Sequence, residues 1–162
     1  MTTTPTPFIV RITKNLRWAE RAFLIALVIG TILVFFKIDS SVLKVSLVGL
    51  AITFFLYAYK PLDIVRNENE QLGFSDLLAL TILPKVMWIS SAVSTMGLLL
   101  YLLDLGNDGY KRMLMIGGLT IGISIVLLTI FSVSGVKNIK GIMPVLFRAI
   151  PLLLVDCYIL FK

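Results

Sequence analysis

Four long stretches of this chain carry no charge at all, residues 22–36, 45–59, 86–103 and 113–136. A fifth, 141–161, is interrupted only by Arg148 and Asp156. No other feature constrains the fold so strongly. Of 162 residues 58% are hydrophobic and only 15% charged, against about 25% charged in an ordinary soluble domain. With a mean hydropathy of +0.98, a chain this short has too few polar residues to clothe a water-soluble core. Lipid is the solvent that suits it. A membrane helix needs about 20 mainly apolar residues. The first two runs reach that length once the flanking Arg21, Lys37, Lys44 and Lys60 are counted, because their aliphatic stems can lie in hydrocarbon while the charge reaches the headgroups.

The expected fold is therefore all-α: a single transmembrane domain over 1–162, built as a five-helix up-down bundle. The spans fall at about 20–37, 42–60, 84–103, 112–135 and 142–161. Short turns enforce antiparallel neighbours, since Gly106, Asn107, Asp108 and Gly109 in one connection and the basic stretch 135–141 in another leave no room for a crossover. The hydrophilic loop 61–74 is the longest polar segment, and Ser75-Asp76 after Gly73 reads as a new helix start. A helix from 75 to 103 would be about 43 Å long, and Pro84 predicts a break within it. Lys85 is expected at the inner interface, with Trp88 in the aromatic belt.

Ahead of the first span, residues 1–7 are polar and interrupted by proline. Residues 8–21 place Ile9, Ile12, Leu16 and Ala19 at helical spacing, with Arg11, Lys14, Asn15 and Arg17 on the remaining surface. That pattern suits an interfacial amphipathic lead in contact with anionic lipid or a partner, or a basic anchor that extends the first helix, the reading favoured here. The polar lead is too long for a cleaved signal, so the first run is expected to stay in place. With the N-terminus inside, Arg11, Lys14, Arg17, Arg21, Lys60, Arg66, Lys85, Lys137 and Lys140 lie on the inner side. Lys37, Lys44, Lys111, Arg112 and Lys162 lie outside. Nine against five favours a cytoplasmic N-terminus.

Charges within a span cost about 2.5–3.5 kcal/mol at the centre of a helix and so mark candidate sites. Arg148 and Asp156 are the two, eight residues apart and about 12 Å along one helix, too far for a direct pair. Asp156 has Lys37, Lys44 and Arg112 as possible salt-bridge partners at the outer level. Two roles follow. Asp156 could be a proton or cation site, or the pair a gate; otherwise Arg148 snorkels to the inner headgroups while Asp156 makes one structural salt bridge. Small residues supply packing faces: Gly97 with Ser90, Ser91 and Ser94 on the third span, Gly117, Gly118 and Gly122 with Ser124 on the fourth. Gly118–Gly122 is a G-x-x-x-G match of the kind that lets helices approach closely.

The chain has no histidine and one cysteine, Cys157, which removes histidine-ligated haem and cysteine-rich metal clusters. No cofactor or metal is expected. Without histidine a nucleophile–base pair would have to use lysine or a carboxylate, and no phosphate loop or dinucleotide fingerprint is present, so no catalytic residue is assigned and the chain is not expected to be an enzyme. An enzyme acting on lipid would need a polar cavity. The net charge of +6 follows from topology and gives no support to nucleic-acid binding. The expected role is a non-catalytic packing or assembly subunit of a membrane complex, in contact with lipids and with copies of itself or another membrane subunit. The alternative is a small proton or ion conduit using the charges of the last helix.

Two internal features bear on family. Lys44-Val-Ser-Leu-Val-Gly49 matches Arg112-Met-Leu-Met-Ile-Gly117, as if a hairpin were repeated. Gly30-Thr-Ile-Leu-Val-Phe-Phe36-Lys37-Ile38, then Leu47-Val-Gly49-Leu50, Phe54-Phe55 and Ala58-Tyr-Lys-Pro61, resembles the transmembrane hairpin of the gliding-motility and type IX secretion protein GldL and related Bacteroidota inner-membrane proteins. The resemblance covers residues 30–61. It implies a hairpin in a bacterial inner membrane, a partner subunit and proton-driven motor work, with Lys37 as the charged position that matches. The family's His-Trp-Pro-Gly segment is replaced by Asp39-Ser40-Ser41, and residues 45–59 carry no carboxylate where the family has an acidic residue.

Overall fold

The computed structural model describes residues 7–60, 74–104, 108–133 and 142–162, with side chains from 15 and from 76 in the first two segments. The lead 1–6, the side chains of 7–14, the loop 61–73, residues 105–107 and the basic turn 134–141 lie outside the described residues. Everything described is helix or short turn. Five helices follow one another: α1, Pro7–Phe35; α2, Ser41–Tyr57; α3, running through Phe74–Leu77, Leu78–Ile82 and Leu83–Leu102; α4, Gly109–Val133; and α5, Met143–Phe161. Four of the five are long and apolar enough to cross a membrane, and α2 is shorter, at 17 residues.

α1 runs as one continuous helix through residues 8–21 and the first apolar run, an extension of that helix and not a separate lead. It contains no glycine or proline between Pro7 and Gly30, so nothing in its backbone favours a stop. It ends where Lys37 adopts a left-handed φ of 57°. The Lys37 N–H then donates to the Val34 carbonyl and the Ile38 N–H to the Leu33 carbonyl, both at 2.9 Å, which satisfies carbonyls that the helix end would leave bare. The Phe-Lys-Ile turn is thus a helix cap. Two residues on, the Asp39 Oδ1 accepts the Ser41 N–H at 2.9 Å. That bond to the first turn of α2 holds the exposed Asp39 carboxyl below the usual carboxylate range.

Pro84 does not break α3. It stands at the start of the segment Leu83–Leu102, directly after a wide turn at Leu78–Ile82 in which the Leu83 N–H reaches back five residues to the Leu78 carbonyl. A proline lacks its own N–H and its ring presses on the carbonyl four residues earlier. One widened turn relieves that crowding and keeps the rod continuous.

α3 is the centre of the assembly and packs on α2, α4 and α5, while α1 lies along α2. Gly30 of α1 faces the backbone of Leu43, and Phe23 covers Gly49. Leu43 and Leu47 of α2 cluster with Leu99 of α3, and further along Phe54 and Tyr57 meet Trp88. Gly97 of α3 lies against Leu114 of α4, and Gly117 of α4 against the Ser94 backbone. Met87, Leu114, Ile121 and Ala149 are wholly enclosed. The outer surface is apolar, with Ile25, Val28, Ile32, Ile116, Leu119, Ile123 and Leu154 all exposed.

Candidate functional site

Hydroxyl side chains on these helices mostly bond to their own backbone. Ser46 and Thr53 on α2, Ser90, Ser91 and Thr95 on α3, and Ser124 on α4 each donate to a carbonyl three or four residues earlier, at 2.7–2.8 Å. This lets them sit in apolar surroundings without an outside partner. Ser94 behaves differently. Its Oγ lies 2.8 and 2.7 Å from the two carboxyl oxygens of Asp156. Asp156 is completely buried, held by α5 against α3 and close to Gly118 of α4, where an added Cβ would stand 3.4 Å from its Oδ2.

The sequence places Asp156 within reach of Lys37, Lys44 and Arg112. Its described partner is Ser94, and among the described residues it forms no ion pair with any of the three. The packing order is the reason. α5 lies against α3 and α4, where Ser94 and Gly118 face it, while Lys37 stands in the α1–α2 connection, Lys44 in the first turn of α2 and Arg112 exposed on α4. Chemically the Asp156–Ser94 contact can serve two protonation states. A hydroxyl can donate to a carboxylate, or a carboxylic acid can donate to the hydroxyl oxygen.

Arg148 is engaged elsewhere. Its Nε donates to the Glu20 Oε1 and its Nη2 to the Glu20 Oε2, the latter at 2.9 Å, a two-pronged pairing that fixes both side chains. Its Nη1 donates to the Pro144 carbonyl one turn back, at 2.6 Å. The Tyr57 hydroxyl donates to the Glu20 Oε2 at 2.8 Å. The Tyr57 ring stacks on Trp88 with centroids 4.5 Å apart, and the Arg148 guanidinium lies 5.6 Å from the Trp88 ring centre. Four helices thereby contribute one residue each to a closed circuit: Glu20, Tyr57, Trp88 and Arg148. Glu20 is 2% exposed.

Sequence reasoning missed Glu20. It stands two residues before the charge-free run, between Arg17 and Arg21, and reads as part of an interfacial charge set. One signal was available: Glu20 is the only glutamate outside the loop 61–73, and a buried arginine requires a carboxylate.

Of the predicted packing glycines, Gly97, Gly117 and Gly118 stand at helix contacts, whereas Gly122 faces open space. The G-x-x-x-G pair is thus half engaged. Between α1, α2, α3 and α5 lies an apolar cleft of about 500 Å³, walled by leucines from all four helices, with Glu20 and Arg148 at one end and Tyr101 and Ile159 at the other. No group of His, Cys, Asp and Glu among the described residues could hold a metal ion. Compared with known proteins, the chain matches no family model, and neither a curated protein nor a solved structure is similar to it.

Proposed function

We propose that this chain is a multi-pass membrane protein whose five helices cross the bilayer alternately up and down, and that it serves as a non-catalytic packing or assembly subunit of a complex in a bacterial inner membrane, N-terminus cytoplasmic. One observation carries the reading: apolar side chains cover the outside, while the buried polar atoms among the described residues are hydrogen-bonded to one another. That is the arrangement a lipid solvent demands. The alternating direction draws support from contact pairs. Residues late on α1 meet residues early on α2 (Gly30 with Leu43), and Gly97 late on α3 meets Leu114 early on α4. Along α3 and α5 the pairs Trp88 with Arg148 and Ser94 with Asp156 advance together.

Membrane fractionation with single-cysteine labelling tests this. The protein should resist carbonate extraction, with residues before 15 labelled only from inside and Lys162→Cys only from outside. Purification in mild detergent should yield an oligomer or a stable partner. A monomer without companions would remove the assembly role, and a protein that stays folded in detergent-free buffer would remove the membrane.

A second reading rests on Asp156, whose hydroxyl partner brings no counter-charge. On this reading the chain conducts protons or small cations, with Asp156 as the relay and Arg148 held apart by Glu20. Proton flux into liposomes should then vanish in Asp156→Asn; equal flux in both proteins, or none in either, removes it.

A further inference from the structure

α1 and α5 meet where Glu20 grips Arg148, but they do not pack along their lengths. The leucine-walled cleft fills the space above that junction. On α5 its lining runs from Phe147 to Ile159, and on α2 from Leu43 to Phe54, about 16–18 Å along either helix. That is about half of a hydrocarbon core roughly 30 Å thick, the depth of one leaflet.

The polar end of the cleft lies at an interface. Arg17, Trp18 and Arg21 are exposed within one turn of Glu20, Lys60 follows Tyr57 by three residues, and the exposed Lys85 precedes Trp88 by three. Three N–H groups of the Arg148 guanidinium are engaged by Glu20 and Pro144, out of the five it carries. Its side chain remains 31% exposed while that of Glu20 is 3% exposed. Among the described residues within one helical turn of this end, Arg17, Arg21, Lys60 and Lys85 join Arg148 against the one carboxylate of Glu20, so the described residues give the mouth a positive charge. An occupant needs a slender hydrocarbon tail and an anionic, hydrogen-bond-accepting head.

We propose that the cleft seats one acyl chain of an anionic phospholipid, with the lipid phosphate against the outer edge of Arg148 and the second chain in the surrounding bilayer. The seat rests on the membrane reading above and adds a specific ligand to it. The leucines of α1, α2, α3 and α5 enclose the chain. The phosphate completes the donors that Glu20 leaves unfilled, as charge-assisted hydrogen bonds do best at the edge of a planar guanidinium.

Native mass spectrometry of the detergent-purified full chain tests this, with phosphatidylglycerol and phosphatidylcholine of identical chains as probes. Wild type should retain phosphatidylglycerol roughly ten-fold more strongly, because both heads offer the phosphate but the choline of phosphatidylcholine brings a cation to a mouth lined by arginines, a like-charge cost of about 1.4 kcal/mol. Leu98→Trp, which fills the cleft, should lose that retention, and Ile123→Trp on the outer face of α4 should keep it. Equal retention of the two lipids, or a folded Leu98→Trp that still holds phosphatidylglycerol, overturns the proposal. A photoactivatable acyl chain on phosphatidylglycerol gives a reading on wild type that needs no variant. Adducts at Leu50, Leu98 or Leu152 are expected, and adducts confined to outward residues such as Ile123 overturn it. Failure of the chain to sediment with membranes would sink the membrane reading as well, whereas a membrane-embedded wild type without bound phosphatidylglycerol sinks the lipid seat alone.

Discussion

Removing either member of the Glu20–Arg148 pair should destabilise the fold, but by unequal amounts. The Glu20 side chain is 3% exposed and that of Arg148 31% exposed. Arg148→Met leaves a nearly enclosed carboxylate with one described hydroxyl donor, Tyr57. Orphaning a buried charge costs about 3–5 kcal/mol. Glu20→Gln leaves an arginine that is partly exposed and still bonded to the Pro144 carbonyl, while the amide oxygen can still accept from Tyr57. The loss there is closer to that of a charged hydrogen bond, about 1.5–3 kcal/mol. At about 2–4 °C per kcal/mol for a chain of this size, thermal unfolding in detergent should fall by roughly 10 °C for Arg148→Met and roughly 5 °C for Glu20→Gln. The double variant has no charge left to bury and should be more stable than Arg148→Met alone. A double-mutant cycle reads this coupling directly. If the two single losses simply add, or if Glu20→Gln is the worse of the two, the four-residue circuit does not hold these helices together.

Three further outcomes follow from the geometry. Gly117→Ala sets a Cβ 2.9 Å from the Ser94 backbone, whereas Gly122→Ala meets nothing; the first should cost about 1–3 kcal/mol and the second should be neutral or stabilising by up to about 1 kcal/mol, both read by thermal melts. Ser94→Ala leaves Asp156 buried without its described partner and should cost about 1–3 kcal/mol, most of it recovered by pairing it with Asp156→Leu, as a second double-mutant cycle would show. Asp39, with its pKa lowered below 3.8 by the Ser41 N–H, stabilises the start of α2 above its unfolded pKa and loses that contribution as pH falls through the lower folded value. Hydrogen exchange at the Ser41 amide should show faster opening only in that acidic window, and Asp39→Ala should abolish the pH dependence.

The helices were legible in the sequence because charge-free runs of this length admit few structures, and the five predicted spans overlap the five observed helices. Pairings between helices were not legible. Arg148 and Asp156 stand out as costly residues in an apolar helix, but their partners depend on which helices pack together. Periodicity does not reveal that. Asp156 therefore drew the cations nearest its expected depth, Lys37, Lys44 and Arg112, where the packing supplies Ser94. The Pro84 break failed for a local reason, since one widened turn absorbs a proline without ending a helix. Gly49 and Gly117, aligned by the internal repeat, both lie where their helix approaches the one before it, against Phe23 and Ser94.

If the chain spans a membrane as proposed, the shortness of α2 has a consequence for the bilayer around it. Its 17 residues rise about 26 Å, while the 25 of α4 rise about 38 Å. Val45, Val48, Ile52 and Phe55 point outward from α2, so in a bilayer the lipid beside them would have to thin to match, whereas beside α4 it would have to thicken unless the helix leaned. A molecule with two different heights on its flanks strains the membrane unevenly. That strain is relieved when a neighbour of complementary height covers the low flank, or when the protein settles where the bilayer is already thin.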